Sequence, residues 1–152
     1  MDSSKELKRA WLVRLKNREL YCALCGCLIE AREDISVEHY VPKARTTHDL
    51  SGNSYNIRPA IKIINSIKGS LLPCEWHLIR RERLLYAIKY WRLTRHDEAI
   101  ITKALARLAT EKDLLNPCQN CILSNAKEQC DAARNMAEYC LPALYGFKFR
   151  QS

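Results

Sequence analysis

The sequence predicts an α+β protein that is mostly helical, and three observations lead to this prediction. Apolar residues recur at helical spacing near the N-terminus and again over residues 75–112. Between these regions, residues 34–69 show the alternation typical of strands, followed by a short helical stretch. A Cys-x-x-Cys pair stands ahead of the strands, a spacing typical of a zinc knuckle. We expect one domain with three parts, namely an N-terminal helix at 1–20, a finger with a zinc knuckle at 21–70 and a helical C-terminal region at 71–152.

The chain opens with a predicted amphipathic helix over residues 4–19. Its apolar face contains Leu7, Trp11 and Leu15. Ser3 and Glu6 have the spacing of a capping box at the start of this helix. The stretch YCALCGCLIE, residues 21–30, predicts a tight turn between short strands, because Gly26 permits the chain to reverse.

The finger has the predicted order strand, long loop, strand, short helix. Residues 34–42 alternate apolar and polar side chains and end at a proline, and the mate of this strand is predicted at 54–58. Pro59 is predicted in the first turn of the following helix, where a residue without an N–H leaves no donor unpaired. Gly69 is predicted to end that helix.

Two helices are predicted after the finger, and a third near the C-terminus. The first has an apolar stripe made of Leu78, Leu85, Ile88 and Trp91. Thr94 and Asp97 have capping-box spacing at the start of the second helix. The apolar stripe of that helix contains Ile101, Leu105 and Leu108. A turn at 116–121 with a second Cys-x-x-Cys precedes the last predicted helix, at 124–140.

Composition and charge restrict the classes of function. The chain has 152 residues, of which 47% are hydrophobic, enough for one domain with a core. Its formal net charge of +8 favours a polyanionic partner, although charge alone does not separate nucleic acid from an anionic membrane surface. No apolar run reaches the ~18 residues of a membrane helix, and the N-terminus lacks the apolar stretch of a signal peptide. We expect a cytoplasmic protein whose eight cysteines are reduced and either bind metal or are buried.

The finger contains the groups that a metal-assisted phosphodiester hydrolase needs. His39 ends a predicted strand, and an imidazole, with an ordinary pKa of ~6.5, can take a proton from an attacking water. The carboxylate of Glu38 and the side-chain carbonyl of Asn65 are hard oxygen ligands, which suit Mg²⁺ or Mn²⁺. Asn56 can both donate and accept hydrogen bonds, so we expect it to hold the loop after His39 in place.

These residues stand in a recognisable order. Residues 22–69 resemble the HNH, or ββα-metal, endonucleases, whose pattern is a Cys-x-x-Cys knuckle, an Asp/Glu-His-x-x-Pro motif, an Asn-Leu-x-Pro-Ala motif and an Asn-x-x-Lys-Gly motif. The matching segments are Cys22-Ala-Leu-Cys25, Glu38-His39-Tyr40-Val41-Pro42, Asn56-Ile57-Arg58-Pro59-Ala60 and Asn65-Ser66-Ile67-Lys68-Gly69. The resemblance implies a ββα-metal finger in which His39 is the general base and Asn56 orients the loop. It also implies that Glu38 and Asn65 hold the catalytic cation and that the substrate is a nucleic acid.

The sequence departs from the family pattern at the zinc site and at the acid. Members with a structural zinc usually carry a second Cys-x-x-Cys at the start of the finger helix, where this chain has Ile61 and Ile64. The acid is Glu38, where Asp is commoner, and its side chain reaches one methylene further. The zinc ligands that remain after Cys22 and Cys25 must therefore come from elsewhere in the chain.

Two arrangements of the zinc ligands stay open. In the first, which we prefer, one site contains Cys22, Cys25, Cys118 and Cys121. In the second, Cys74 and His77 complete the first knuckle, and the C-terminal site contains Cys118, Cys121, Cys130 and Cys140. Cys27 is expected to be a packing residue in both.

Basic residues concentrate around the predicted site. We expect the nucleic acid to be DNA, and the candidates for contact with it are Lys43, Arg45, Arg58, Lys62 and Lys68. Further basic residues follow the finger, either as a solvated helix face or as phosphate contacts: Arg80, Arg81, Arg83, Lys89, Arg92 and Arg95. Two functions remain in view, an HNH endonuclease that hydrolyses DNA phosphodiesters and a zinc-stapled module that binds nucleic acid without cleaving it.

Overall fold

A computed structural model describes residues 3–42 and 56–110, and in these ranges the chain forms four helices and one two-stranded antiparallel sheet. The helices are α1 (Ser3–Lys16), α2 (Lys62–Lys68), α3 (Pro73–Tyr90) and α4 (Arg95–Thr110), and the strands are β1 (Ile35–His39) and β2 (Ile57–Ile61). A short 3₁₀ turn, Arg32–Asp34, leads into β1. The described chain is thus α+β and mostly helical, as predicted. The predicted helix at 124–140 and the capping side chain of Ser3 lie outside what is described.

Helix α1 buries the face that its apolar spacing predicted. Trp11 is buried in the main core, and Leu7 and Leu15 pack partly buried against it. After α1 the chain enters the turn at 21–30, where Tyr21 and Leu28 form an antiparallel bridge. The predicted reversal between two short extended segments is therefore present.

The second strand begins later than the sequence predicted, and Pro59 belongs to it. Val37 lies opposite Pro59 in the register, and Glu38 lies opposite Arg58. The amide of Tyr40 donates to the carbonyl of Asn56 at 2.8 Å, so Tyr40 and Asn56 are a hydrogen-bonded pair. Hydrogen-bonded and non-hydrogen-bonded pairs alternate along an antiparallel ladder, so Val37 and Pro59 exchange no hydrogen bonds. A missing N–H costs nothing at such a position. The prediction of Pro59 in the first turn of the helix was wrong for this reason.

Helix α2 begins at Lys62 and lies against the sheet. Ile64 and Ile67 enter the core from its buried face. The helix ends at Gly69, as predicted, where a φ of 57° suits a residue without a side chain. Arg83 of α3 closes this end of α2, because its Nε and Nη2 atoms donate to the carbonyl of Ile67 at 3.1 and 2.6 Å.

Helix α3 buries a different face from the one predicted. The predicted stripe contained Leu78, Leu85, Ile88 and Trp91. Of these side chains, Leu78 is 53% exposed, Leu85 is 47% exposed and Trp91 is 38% exposed. Only Ile88 of this stripe packs, partly buried, against the core. The buried apolar face contains Trp76, Ile79, Leu84 and Ala87. The indole N–H of Trp76 donates to the carbonyl of Leu24 at 2.9 Å and so ties α3 to the turn at 21–30.

Helix α4 follows its predicted pattern. The amide of Asp97 donates to the hydroxyl of Thr94 at 3.0 Å, which caps the helix start. Ile101 is buried, and Leu105 and Leu108 pack partly buried against the core. Within residues 3–42 and 56–110, no helix has the length and hydropathy needed to cross a membrane.

Candidate functional site

Asn56 fixes the chain directly after His39. Its side chain is buried, its Oδ1 accepts a hydrogen bond from the amide of Val41 at 2.8 Å, and its Nδ2 donates to the carbonyl of the same residue at 3.2 Å. One amide side chain thus satisfies both backbone groups of a buried residue, as a neighbouring strand would. The end of β1 and the start of the following loop are held by this pair of bonds, which is the contact expected of Asn56.

Glu38 and Lys68 form a buried ion pair between β1 and α2. The side chains are 2% and 1% exposed, and the Lys68 ammonium lies against Oε1 of Glu38. Apart from this ion pair, Oε1 of Glu38 receives no hydrogen bond from the described residues. Nζ of Lys68 also donates to the carbonyl of His39 at 3.3 Å. The sequence predicted that Lys68 contacts nucleic acid. In this structure its ammonium is buried against Glu38.

Asn65 connects α2 to β1 one helical turn before Lys68. Its Nδ2 donates to the carbonyl of Val37 at 3.0 Å and to the hydroxyl of Ser36 at 3.1 Å. Because a backbone carbonyl only accepts, these contacts identify the nitrogen of the amide and leave Oδ1 as the acceptor end. Asn65 thus holds α2 to β1 through its nitrogen atom, and its Oδ1 atom is an acceptor on α2.

His39 is the last residue of β1 and is half-buried. Consecutive side chains on a strand point to opposite faces, so the side chains of Glu38 and His39 lie on opposite faces of the sheet at the end of β1. The bonds of Lys68 to the His39 carbonyl and of Asn56 to Val41 hold the backbone on both sides of the imidazole. The backbone on either side of the His39 ring is thus held by side-chain hydrogen bonds.

A cleft opens beside Glu38, between the sheet, the turn at 21–30 and α3. Its volume is about 200 Å³. The polar side chains in its lining are Glu38, Tyr40, Arg58, Lys68, His77 and Arg80. From the sequence, His77 was predicted only as an alternative zinc ligand, and Arg80 was one of several basic residues predicted as either a solvated helix face or phosphate contacts. Their spacing of three residues, which places both on one side of α3, was the signal that could have joined them.

The knuckle cysteines are held by contacts with the sheet. Cys22 and Cys25 are buried, and Cys22 Sγ accepts a hydrogen bond from the amide of Ile61 at 3.3 Å. The amide of Ala23 donates to the carbonyl of Pro59 at 2.9 Å, and Gly26 turns the chain with a φ of 75°. Backbone N–H bonds to a sulfur atom favour the thiolate, which is the form that binds zinc.

Three thiols interact within the turn. A hydrogen bond from Cys25 lowers the pKa of Cys22 to about 7, against the effect of burial. A hydrogen bond from Cys25 also lowers the pKa of Cys27 to about 7, with help from the charges of Arg107 and Lys103. The pKa of Cys25 itself is raised, because its thiol is the shared partner of both. Cys27, expected only to pack, thus takes part in the polar contacts of the knuckle.

In the preferred arrangement, the zinc partners of Cys22 and Cys25 come from the C-terminal region of the sequence. Cys118, Cys121, Cys130 and Cys140 all lie outside the described ranges. Among residues 3–42 and 56–110, no group of three or more His, Cys, Asp or Glu side chains is arranged to hold a metal ion. The alternative in which Cys74 and His77 complete the first knuckle stays a prediction.

The remaining basic candidates occupy different environments. Arg58 stacks on Tyr40 and lines the cleft, Lys62 is exposed at the start of α2, and Lys43 and Arg45 lie outside the described ranges. Of the basic residues after the finger, Arg83 closes α2, and only Arg80 lines the cleft. The others are exposed: Arg81, Lys89, Arg92 and Arg95.

Comparison of the chain with protein-family models, with curated proteins and with solved structures finds no match in any of the three.

Proposed function

We propose that the chain is a metal-dependent endonuclease of the HNH type, which hydrolyses phosphodiester bonds in DNA with His39 as the general base. The observation that carries the proposal is the double hydrogen bond between Asn56 and Val41. It fixes the backbone next to the histidine at the end of β1, as proton transfer from a bound water requires.

In this proposal His39 removes a proton from a water molecule as that water attacks the phosphorus atom. A bond forms between the water oxygen and phosphorus, the bond from phosphorus to the leaving sugar oxygen breaks, and the proton passes to the imidazole. A neutral imidazole accepts a proton near pH 7, since the ordinary pKa of histidine is ~6.5. The leaving oxygen takes its proton from solvent.

The oxygen atoms of Glu38 and Asn65 are of the kind that a hard divalent cation prefers. Glu38 has a buried carboxylate whose Oε1 receives no hydrogen bond among the described residues apart from its ion pair with Lys68, and Asn65 has a side-chain carbonyl oxygen. Mg²⁺ binds through one or two protein oxygens and completes its shell with water and phosphate oxygens. When bound, such an ion would stabilise negative charge on the phosphate and on the leaving oxygen. In the state described here, the ammonium of Lys68 supplies the positive charge next to Glu38.

The zinc of the proposal is structural. Cys22 and Cys25, with Cys118 and Cys121 outside the described ranges, would form one four-cysteine site. Such a site would fix the turn at 21–30, which the structure already ties to β2 through Ala23 and to α3 through Trp76.

The buried ion pair favours a second candidate, a nucleic-acid-binding module without activity. If Lys68 permanently neutralises Glu38, the carboxylate is not available to a divalent ion, and the finger could only bind. The two candidates differ in whether the chain cuts DNA, so a cleavage assay separates them.

We would incubate wild type, His39→Ala and His96→Ala with supercoiled plasmid in Mg²⁺, in Mn²⁺ and in EDTA, and follow nicking on a gel. His96 is an exposed histidine on α4, so His96→Ala is a matched control. We expect metal-dependent nicking by wild type and the control, and a loss of at least about 100-fold in His39→Ala. Equal nicking by His39→Ala would exclude His39 as the base. Binding of DNA by all three proteins without cleavage by any would establish the second candidate.

A further inference from the structure

We propose that the groove between α1 and β1 is a second contact site for the nucleic acid, in which Lys8 and Arg32 bind phosphates of the backbone. The inference rests on the proposed function, because it takes the nucleic acid as the ligand. It extends the contact surface from the finger onto the N-terminal helix. The motifs of the finger assign no role to either of these two residues.

The lining of the groove combines an apolar floor with a positive rim. The groove has a volume of about 290 Å³. Leu12, Ile35 and Val37 supply its apolar surface, and all three are partly buried. Lys8 and Arg32 are its charged residues, and both are exposed. The backbone of a nucleic acid alternates sugars, which have apolar C–H groups, with charged phosphates, so this lining suits it.

Both cations are available to a ligand. Within residues 3–42 and 56–110, the side chains of Lys8 and Arg32 form neither an ion pair nor a hydrogen bond, and no acidic side chain lines the groove. Asp34, an acid in the same turn as Arg32, lies 2.9 Å from the His96 ring of α4 instead. A groove whose charges have one sign concentrates ions of the opposite sign, here phosphates.

The groove lies on the same face of β1 as the proposed general base. Side chains alternate along a strand, so Ile35, Val37 and His39 share one face. Helix α2 lies on the other face, where Lys68 contacts Glu38. Val37, in the lining of the groove, is two residues from His39, or about 7 Å along the strand. A nucleic-acid strand bound in the groove would therefore pass close to the imidazole.

The two cations belong to elements that the core holds in place. Helix α1 is anchored by Trp11, which is buried in the main core. Arg32 begins the 3₁₀ turn that leads into β1, and the contact of Asp34 with His96 connects this turn to α4. Because the backbone that carries both side chains is fixed before the ligand binds, little ordering of the protein opposes binding. Contacts of this kind position the backbone and do not read its sequence.

The test compares two double variants of equal charge. Lys8→Gln with Arg32→Gln removes both cations from the groove. Arg81→Gln with Arg92→Gln is the matched control, because it removes two exposed cations that do not line the groove. We would measure the binding of a fluorescent DNA duplex by anisotropy in EDTA, over a series of salt concentrations. The groove variant should bind at least about tenfold more weakly than wild type, and the slope of log K against log salt should fall by about 2, because two phosphate contacts are lost. The control should stay within about threefold of wild type and keep its slope.

A third double variant, Lys8→Arg with Arg32→Lys, keeps both charges and should keep the affinity within about threefold and the salt slope of wild type. If the groove variant does not fold, Lys8→Gln and Arg32→Gln are measured singly, and each should lower the slope by about 1. The inference is overturned if the groove variant and the control have the same affinity and salt slope while wild type binds DNA. If wild type neither binds nor cleaves nucleic acid, the proposed function itself fails.

Discussion

A carboxylate as buried as that of Glu38 requires a positive charge beside it, and in this structure the charge belongs to Lys68. The same carboxylate is the proposed ligand of a divalent cation. The two cations compete for one position, because both are stabilised by the same negative charge. A divalent ion would bind at Glu38 only after the ammonium has moved away, so the ion pair sets the affinity for metal.

Lys68→Met tests this competition at a single residue. It leaves the Glu38 carboxylate buried without a partner, and the free energy of unfolding should fall by about 3–5 kcal/mol in EDTA. Mn²⁺ should restore much of the loss, because the ion takes the place of the ammonium, and the gain in melting temperature should exceed that of wild type. The measurement is thermal unfolding with Mn²⁺ and with EDTA.

The double variant Glu38→Gln with Lys68→Met is the matched control. It removes both charges, so it should be more stable than Lys68→Met in EDTA and should not respond to Mn²⁺. A response of the double variant equal to that of Lys68→Met would show that the ion binds elsewhere.

The inward position of Lys68 was not predictable from the pattern of the sequence. A lysine between Ile67 and Gly69 at the end of a helix is usually a solvated cation that complements the helix dipole. Its burial depends on the side-chain direction of Glu38, which lies 30 positions earlier and belongs to another element. By contrast, the contact of Asn56 with the loop after His39 was predictable, because a buried loop needs a side chain that both donates and accepts.

At the scale of elements, periodicity located the helices but did not fix which face is buried. In α3, apolar residues stand side by side at Leu78 and Ile79 and again at Leu84 and Leu85, so two stripes fit the helical period equally well. Packing of Trp76 against the turn at 21–30 selects one of them. The start of α2 was misplaced for a related reason, since Pro59 suits both a helix start and a strand position without a ladder hydrogen bond.

Gly26→Ala tests the knuckle as an element. Gly26 has a φ of 75°, and a methyl group there would press against the side chain of Arg107. Since the arginine can move aside, the main cost is the backbone conformation, and we expect a loss of about 1–2 kcal/mol in the free energy of unfolding. Urea denaturation measures this loss. Gly26→Asn should cost less, because asparagine tolerates the left-handed region better, and an equal loss in both variants would point to the contact with Arg107 instead.

At the scale of the whole molecule, the cleft is assembled from segments that are distant in sequence. Glu38 and Arg58 come from the sheet, and His77 and Arg80 come from α3. The motifs of the finger predicted the first pair as site residues, because those motifs are local. The second pair could not be assigned to the site from sequence, since nothing in a helical pattern states which face of α3 meets the sheet.

A contact between α4 and the turn that leads into β1 makes the stability of the folded molecule depend on pH. Nε2 of His96 lies 2.9 Å from the carboxylate of Asp34, 62 positions away, and this hydrogen bond raises the pKa of His96 above 6.5. A raised pKa in the folded state means that protonation favours folding, so the stabilisation is complete below the unfolded pKa of about 6.5 and is lost as pH rises through the folded pKa.

The difference in melting temperature between wild type and His96→Gln should therefore depend on pH. The melting temperature of wild type should exceed that of His96→Gln at about pH 5.5, and the two should converge by about pH 8.5, where the histidine is neutral in both states. Asp34→Asn removes the other half of the contact and should lose the same low-pH advantage. Because His96 is exposed, the effect should also shrink in high salt. A difference between wild type and His96→Gln that stays constant across this pH range would show that the ring stabilises the docking of α4 by packing alone.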